Sequence, residues 1–314
     1  MYKDKKISLV IPAYNEEKLI KPTLENVPEV IDKIYVVDDA STDNMPEVVK
    51  ECQKNDPRIN LISHEKNMGP GQGIITGYKK SSEDGYDIAV VVGGDFQMPL
   101  DEVKTLLDPV ISGDADYTKG NRFMMGGNAF EDMPKIRLFG NTVISMFTKI
   151  ASGYYKIFDV VDGYTAITKR AIDLINWDKA WKGYGYPMDF LVRLNTYGLK
   201  VKDVPRKAIY LPGERQSQIK GIKYALKVSP MLFKGFFYRL FVKYLIRDFN
   251  PIIFFYLLGI ALFPLGILFG GYLVYIKCTG GGISGATAVL DALLIITGLQ
   301  FLLFAMLFDM QESS

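Results

Sequence analysis

Between Pro251 and Phe308 the chain carries only two charges, Lys277 and Asp291, a composition that no domain surrounded by water can present. Pro251 to Tyr275 and Ala286 to Phe308 each exceed the roughly 20 residues that cross a hydrocarbon core of about 30 Å, so two membrane spans are expected. The link from Ile276 to Gly285 holds Lys277 and four glycines. The flank before the first span, Lys220 to Asn250, interleaves aromatic and aliphatic residues with Lys223, Lys227, Lys234, Arg239, Lys243 and Arg247. That pattern reads as juxtamembrane helices with apolar faces in the acyl boundary and cations at head groups, or as an ordinary amphipathic core helix. The positive-inside bias places everything before the first span in the cytoplasm, as part of a multi-pass protein of the cell membrane. Asp291 falls inside the second span, at its interface or facing a partner helix, because a lone carboxylate in lipid is costly. The expected organisation is therefore a soluble domain over residues 1–219, juxtamembrane helices over 220–250 and a two-helix membrane domain over 251–314.

Residues before about 220 mix charged and apolar side chains as a soluble domain does. Short β-branched runs at Ile7 to Ile11, Ile34 to Val37, Ile59 to Ser63 and Ile88 to Val92 alternate with stretches long enough for crossover helices. Such spacing reads as an α/β fold with a mainly parallel sheet, its strands covered on both faces. Ligands of such sheets bind outside the carboxyl ends of the strands. Three of the four runs end in suggestive residues: Pro12-Ala13-Tyr14-Asn15-Glu16, Asp38-Asp39-Ala40-Ser41-Thr42-Asp43 and Gly93-Gly94-Asp95-Phe96-Gln97. Each is also ordinary turn and helix-cap chemistry, but three together would line one edge.

Several classes are disfavoured. A net charge of +2 gives no excess of cations for nucleic acid. Cys52 and Cys278 lie in different segments, which argues against a disulfide between them, and they have no zinc spacing. The start, with Lys3, Asp4, Lys5 and Lys6 before a short apolar run, lacks the core of a cleavable signal, so export of the first domain is not expected. His64, the only histidine, reads as a solvated strand end.

The stretches Ser8-Leu9-Val10-Ile11-Pro12-Ala13-Tyr14-Asn15-Glu16-Glu17 and Val36-Val37-Asp38-Asp39-Ala40-Ser41-Thr42-Asp43 together resemble family 2 glycosyltransferases of GT-A fold, a Rossmann-like nucleotide-sugar-binding domain. Within that family the sequence is similar to polyprenyl-phosphate hexose synthases of the dolichol-phosphate mannose synthase type. The likeness continues through Asn67-Met68-Gly69-Pro70-Gly71-Gln72-Gly73, where glycines permit close backbone approach and a helix N-terminus can favour an anion. A plain loop-to-helix transition fits that segment equally. Gly93-Gly94-Asp95-Phe96-Gln97 aligns with the family's Asp-x-Asp-x-Gln, but Gly93 replaces the first Asp.

The resemblance implies roles residue by residue. Pro12, Tyr14, Glu16, Val37 and Asp39, with Asn67, Gly94, Asp95 and Gln97, would bind a nucleotide-sugar donor. Asp95 and Gln97 would hold a divalent cation, Mg²⁺ or Mn²⁺, which favours oxygen ligands. Arg122, in Gly120-Asn121-Arg122-Phe123, would meet a phosphate, as would Arg137 and Asn141 one helical turn apart. Arg215 and Ser217, near Gly213-Glu214, are similar to a family loop that closes over phosphates, with Gly213 to Ser217 as a polar linker the alternative. Asp159, ahead of Asp162-Gly163-Tyr164-Thr165, would orient the acceptor or hold a charged partner, and with Asp95 and Arg122 forms the expected catalytic set. Asp189, placed where relatives with hydroxyl acceptors put a base, carries little weight, because a phosphate monoester is already ionised near neutral pH.

The implied activity is transfer of a hexose from a GDP-mannose or UDP-glucose class donor to a dolichyl or undecaprenyl phosphate, with inversion, at the cytoplasmic membrane face. The product would be a lipid-linked sugar for glycosylation. Partners would be the nucleotide sugar, the polyprenyl phosphate and the membrane, with no nucleic acid and with homo-oligomerisation left open. Gly93 leaves a non-catalytic nucleotide-sugar-binding scaffold as the alternative. Processive polysaccharide synthesis is disfavoured by the small number of spans and the lack of a Gln-x-x-Arg-Trp segment.

Overall fold

The computed structural model describes residues 1–124, 135–207, 209 and 221–312. Contacts divide the chain into two units, Met1–Phe236 and Phe237–Ser314.

The first unit is built on a seven-stranded sheet of order β3-β2-β1-β4-β6-β5-β7. Its strands are β1 (Ile7–Ala13), β2 (Lys33–Asp38), β3 (Ile59–Ser63), β4 (Ile88–Val91), β5 (Tyr117–Asn121), β6 (Thr165–Thr168) and β7 (Val201–Pro205). Helices α1 (Ile20–Glu25), α2 (Met45–Asn55) and α3 (Pro70–Glu83) connect the first four strands. They are followed by α4 (Val103–Ile111), α5 (Lys135–Ser152), α6 (Lys169–Leu174) and α7 (Tyr186–Thr196). The four apolar runs are β1 to β4, all mutually parallel. Strand β6 alone runs against its neighbours β4 and β5, which makes the sheet mixed.

Period-two alternation explains why the runs are apolar throughout. Leu9, Ile11, Ile34, Val36 and Val90 enter one core with Met45 and Leu106, while Val10, Tyr35, Val37 and Val91 enter the other with Ile74 and Phe190. Both faces are covered, so neither has a polar register. Contact between α3 and β1 is so close that a Cβ on Gly77 would come within 2.2 Å of Val10 Cγ1. After β1 the chain steps outward through β2 and β3, then returns to the other side of β1 as β4. The direction of winding therefore reverses between β1 and β4, and a crevice opens at the carboxyl ends of strands at such a reversal.

In the second unit, α9 (Ile252–Cys278) and α10 (Gly285–Glu312) are long and apolar enough to cross a membrane. Small residues let them approach closely, since a Cβ would lie 2.7 Å from Leu302 at Gly259 and 2.4 Å from the Phe263 backbone at Gly298. Asp291 faces α9, where a Cβ on Gly270 would meet its Oδ2 at 2.8 Å. Helix α8 (Gly221–Phe241) and a π-helical turn, Val242–Arg247, precede the hairpin. Lys227, Lys234 and Arg247 are exposed, whereas Lys243 is buried. Arg239 is not at a head group: it is fully buried and forms two hydrogen bonds to Asp309, of 2.7 and 2.8 Å. Tyr244 and Tyr256 also donate to that carboxylate. A charge taken out of water needs such partners, and Asp309 supplies the countercharge.

Candidate active site

Backbone strain marks the edge where the strand tips meet. Asn15, Ala40 and Phe96 have φ of 56°, 62° and 54°; the first two lie two residues beyond β1 and β2, and Phe96 lies in the segment that follows β4. Left-handed backbone costs roughly 1–3 kcal/mol at a non-glycine residue and persists where surrounding contacts impose it. Here the contacts are visible. Asn15 Oδ1 accepts the Thr42 N–H at 2.7 Å, the Asn15 N–H donates to Ser41 Oγ, and the Glu17 N–H donates to Asp43. The Asp39 N–H donates to Ala13 O at 3.0 Å, and a Cβ on Gly94 would come within 3.1 Å of Ala13 Cβ. Ser41, Thr42 and Asp43 thus lace the β1 and β2 tips together. Tyr184 stands at the same edge: burial raises its phenol pKa, and the negative charges of Glu16, Asp39 and Asp95 raise it further.

Of the residues expected at the donor, Tyr14 and Asn67 are exposed, Pro12, Glu16, Asp95 and Gln97 are partly exposed, and Gly94 is buried. Val37 is a correction. Its side chain is fully buried in the core and has no surface to offer a ligand. Asp39, 3 % exposed, accepts at Oδ1 from the Met68 N–H and the His64 ring, both at 2.8 Å, and at Oδ2 from the Gly69 N–H at 2.7 Å. A carboxylate has about four lone-pair positions, so one acceptor position remains on Oδ2. His64 is a further correction, being mostly buried and hydrogen-bonded at both ring nitrogens.

The glycine turn serves the chain's own packing. Gly69 has φ of 93°, and a Cβ there would lie 2.6 Å from Lys182 O. That carbonyl accepts the first N–H groups of α3, from Gly71 at 2.8 Å and Gln72 at 3.3 Å, so this helix start is committed to the chain itself and not to an anion.

Past β4, Asp95 Oδ1 accepts the Gln97 N–H at 3.3 Å. It lies 2.8 Å from where a Cβ on Gly93 would stand, so the missing side chain lets this carboxylate fold back over the strand end. Burial raises the Asp95 pKa, Arg206 opposes the rise and Asp162 adds to it. No cluster of three or more His, Cys, Asp or Glu side chains suited to a metal occurs among the described residues. Asp95 nonetheless offers a partly desolvated carboxylate, which gains from a hard cation, and Gln97 follows it by two residues. The set fits a cation that takes most of its ligands from a bound diphosphate.

Beside Asp95 lies a lattice of buried charges. Arg122 grips Asp159 with Nε at 2.7 Å and Nη2 at 2.9 Å, and its Nε is 3.3 Å from Asp162. Arg206 holds Asp162 at 2.6 Å and donates to Gln97 O at 3.3 Å. The fully buried Lys119 donates to the Asp162 carbonyl, and desolvation lowers its pKa. Asp162 stays ionised, its pKa held below the usual value by Arg206, Arg122 and Lys119 against the cost of burial. Sequence reasoning found Arg122 and Asp159 but passed over Lys119, Arg206 and Asp203. Arg206 follows the β7 tip directly, the same position rule that singled out the first three segments.

Asn141 lies on α5, partly exposed. Arg137 is on the same helix, its side chain outside the described residues, as are Arg215 and Ser217 entirely. Asp189 Oδ2 is occupied by Arg193 Nε at 2.7 Å and the Trp181 N–H at 2.8 Å, a structural clamp.

A GT-A sheet with its strand tips knitted around two carboxylates defines a class, and the chain belongs to it by sequence as well. Residues 8–175 match the glycosyl transferase family 2 model, and the chain is a family 2 glycosyltransferase. It is 34 % identical over 220 residues to the UDP-N-acetylglucosamine–dolichyl-phosphate N-acetylglucosaminyltransferase of Methanococcus voltae, covering 66 % of this chain and 87 % of that protein. To the undecaprenyl-phosphate mannosyltransferase of Micrococcus luteus it is 29 % identical, over 64 % of this chain and 82 % of that one. Among solved structures, glucosyl-3-phosphoglycerate synthase from Mycobacterium tuberculosis, crystallised with Mn²⁺, UDP and product, superposes with a TM-score of 0.55 at 16 % identity. That match covers 75 % of this chain and 80 % of the synthase, and it confirms the fold.

Proposed function

We propose that this glycosyltransferase moves one sugar of the hexose class from a nucleoside diphosphate onto a polyprenyl phosphate at the cytoplasmic face of a membrane. The carrying observation is the meeting of the β1, β2 and β4 tips at the winding reversal, in a chain that also has two membrane-length helices. Relatives named for transfer to dolichyl and undecaprenyl phosphates support the acceptor class.

In this reading the last acceptor position of Asp39 takes one imino N–H of the base, as uracil N3 or guanine N1 would offer. Pro12, Tyr14, Glu16 and Asn67 flank the nucleotide, and Asp95 with Gln97 holds a divalent cation against its diphosphate. That cation, when bound, neutralises charge on the departing diphosphate. The acceptor needs no general base, since a phosphate monoester with a second pKa of about 6 is already an oxyanion near neutral pH. Its oxygen forms the new bond to the anomeric carbon, while the bond from that carbon to the diphosphate oxygen breaks and leaves its electron pair there. Attack opposite the leaving group inverts the anomeric centre.

Arg122, held in plane by Asp159, is assigned to phosphate, with Asn141, Arg137, Arg215 and Ser217 assigned to the acceptor side. Orientation and charge stabilisation supply the acceleration. Membranes from cells expressing the chain, given labelled UDP-N-acetylglucosamine, UDP-glucose and GDP-mannose in turn with added polyprenyl phosphate, should place label in the lipid extract from at least one donor. No labelled lipid from any donor, with folded protein present, would refute the reading.

A further inference from the structure

We propose that His64 is a positioning residue for the donor site, holding Asp39 in the rotamer that receives the nucleotide base; this rests on the donor role given to Asp39 above. The ring lies at the β3 tip with its side chain 10 % exposed, between strand and α3. Its Nδ1 is 2.8 Å from Asp39 Oδ1 and its Nε2 is 2.9 Å from Thr76 Oγ1. Thr76 Oγ1 in turn accepts from Gln72 Nε2 at 3.4 Å.

Proton accounting fixes the direction of this chain. An ionised Asp39 only accepts, so Nδ1 carries the hydrogen. In the neutral ring Nε2 is then an acceptor, which the Thr76 hydroxyl fills, and the Gln72 amide supplies a donor to that hydroxyl. Every group has the partner it needs, and the relay ties the first turns of α3 to the β2 tip. The two backbone donors, Met68 and Gly69, come from the turn itself and move with it. Within the relay, only His64 ties the Asp39 carboxylate to α3.

The two ring nitrogens can be tested separately, because the asparagine amide nitrogen sits where Nδ1 does, while the glutamine amide ends where Nε2 does and can turn its oxygen to accept from Thr76. His64→Asn keeps the donor to Asp39 and loses the link to Thr76; His64→Gln does the reverse. With purified full-length protein in detergent, His64→Gln should raise the donor KM about 10-fold, as expected for loss of one hydrogen bond to a charged group, and leave kcat within about twofold. His64→Asn should restore the KM to within about twofold of wild type. Thr76→Val cuts the relay one link away and gives a smaller KM rise, which keeps the test decisive if His64→Gln folds poorly. UDP and GDP binding by calorimetry, with Asp39→Ala as reference, separates the two layers of the argument. If Asp39→Ala leaves nucleotide affinity unchanged, the donor reading fails. If Asp39→Ala weakens binding while His64→Gln matches wild type, or if His64→Asn is as impaired as His64→Gln, the positioning role is overturned.

Discussion

Replacing Asp203 by asparagine should stabilise the catalytic unit at about pH 8 and do little at about pH 4. Asp203 Oδ2 accepts from Asn121 Nδ2 at 2.6 Å and the Phe158 N–H at 3.0 Å, whereas Oδ1 is buried without a hydrogen-bond partner. Burial therefore raises its pKa from the ordinary 3.8 to about 6. A carboxyl whose pKa is higher in the folded state binds more protons there, so its ionisation costs stability as pH rises through the folded value. Two pH units at about 1.4 kcal/mol each set a ceiling of about 3 kcal/mol at alkaline pH. Asparagine keeps the acceptor for both donors and removes the buried charge. The attraction of Lys119, its register partner across β5 and β7, is already contained in that pKa, while amide hydrogens placed where Oδ1 stood without a partner offset part of the gain, which leaves about 1–2 kcal/mol. For a unit of this size that is a rise in Tm of roughly 2–8 °C. Scanning fluorimetry of wild type and Asp203→Asn across pH reads it directly. A variant less stable than wild type at pH 8, or a difference that does not change with pH, would refute the reasoning.

Asp95→Asn should abolish turnover while leaving the melting temperature within a degree or two of wild type, and full activity would remove Asp95 from the mechanism. Because burial raises its pKa, the ionised form that can bind a cation is lost earlier as pH falls; divalent-dependent activity should decline on the acid side above the range of a free aspartate. Gly77→Ala should cost about 1–3 kcal/mol, measured by urea denaturation of the first unit's fluorescence signal, because its methyl would collide with Val10. Asp309→Ala should destabilise the second unit by about 3–5 kcal/mol by orphaning Arg239, and the double change Arg239→Met with Asp309→Leu should recover most of that loss in a detergent melting assay.

What could be read in advance follows from how each feature is encoded. Strands β1 to β4 are buried on both faces, so they stand out as continuous apolar runs, and the residues after three of them are the ones the fold brings to one edge. Strands β5 and β7 hid because they carry buried charge: Lys119 and Asp203 sit within strands and face partners distant in sequence. The same blindness misplaced Arg239, whose countercharge lies 70 residues away at Asp309. His64 looked solvated because no local pattern announces that Asp39 and Thr76 flank it. Val37 was credited with donor contact through its neighbours in a motif, although strand alternation turns its side chain into the core.

The most direct test of the account is single-turnover transfer by purified protein reconstituted in vesicles that contain a short polyprenyl phosphate, with the donor identified in the membrane screen and Mg²⁺ or Mn²⁺ present. Mass spectrometry of the lipid should show the mass of one added sugar residue per phosphate, with nucleoside diphosphate released in equal amount and neither product formed by Asp95→Asn. Nucleoside diphosphate released without any gain in lipid mass, or a ladder of several sugars on each lipid, would contradict single transfer to a lipid phosphate.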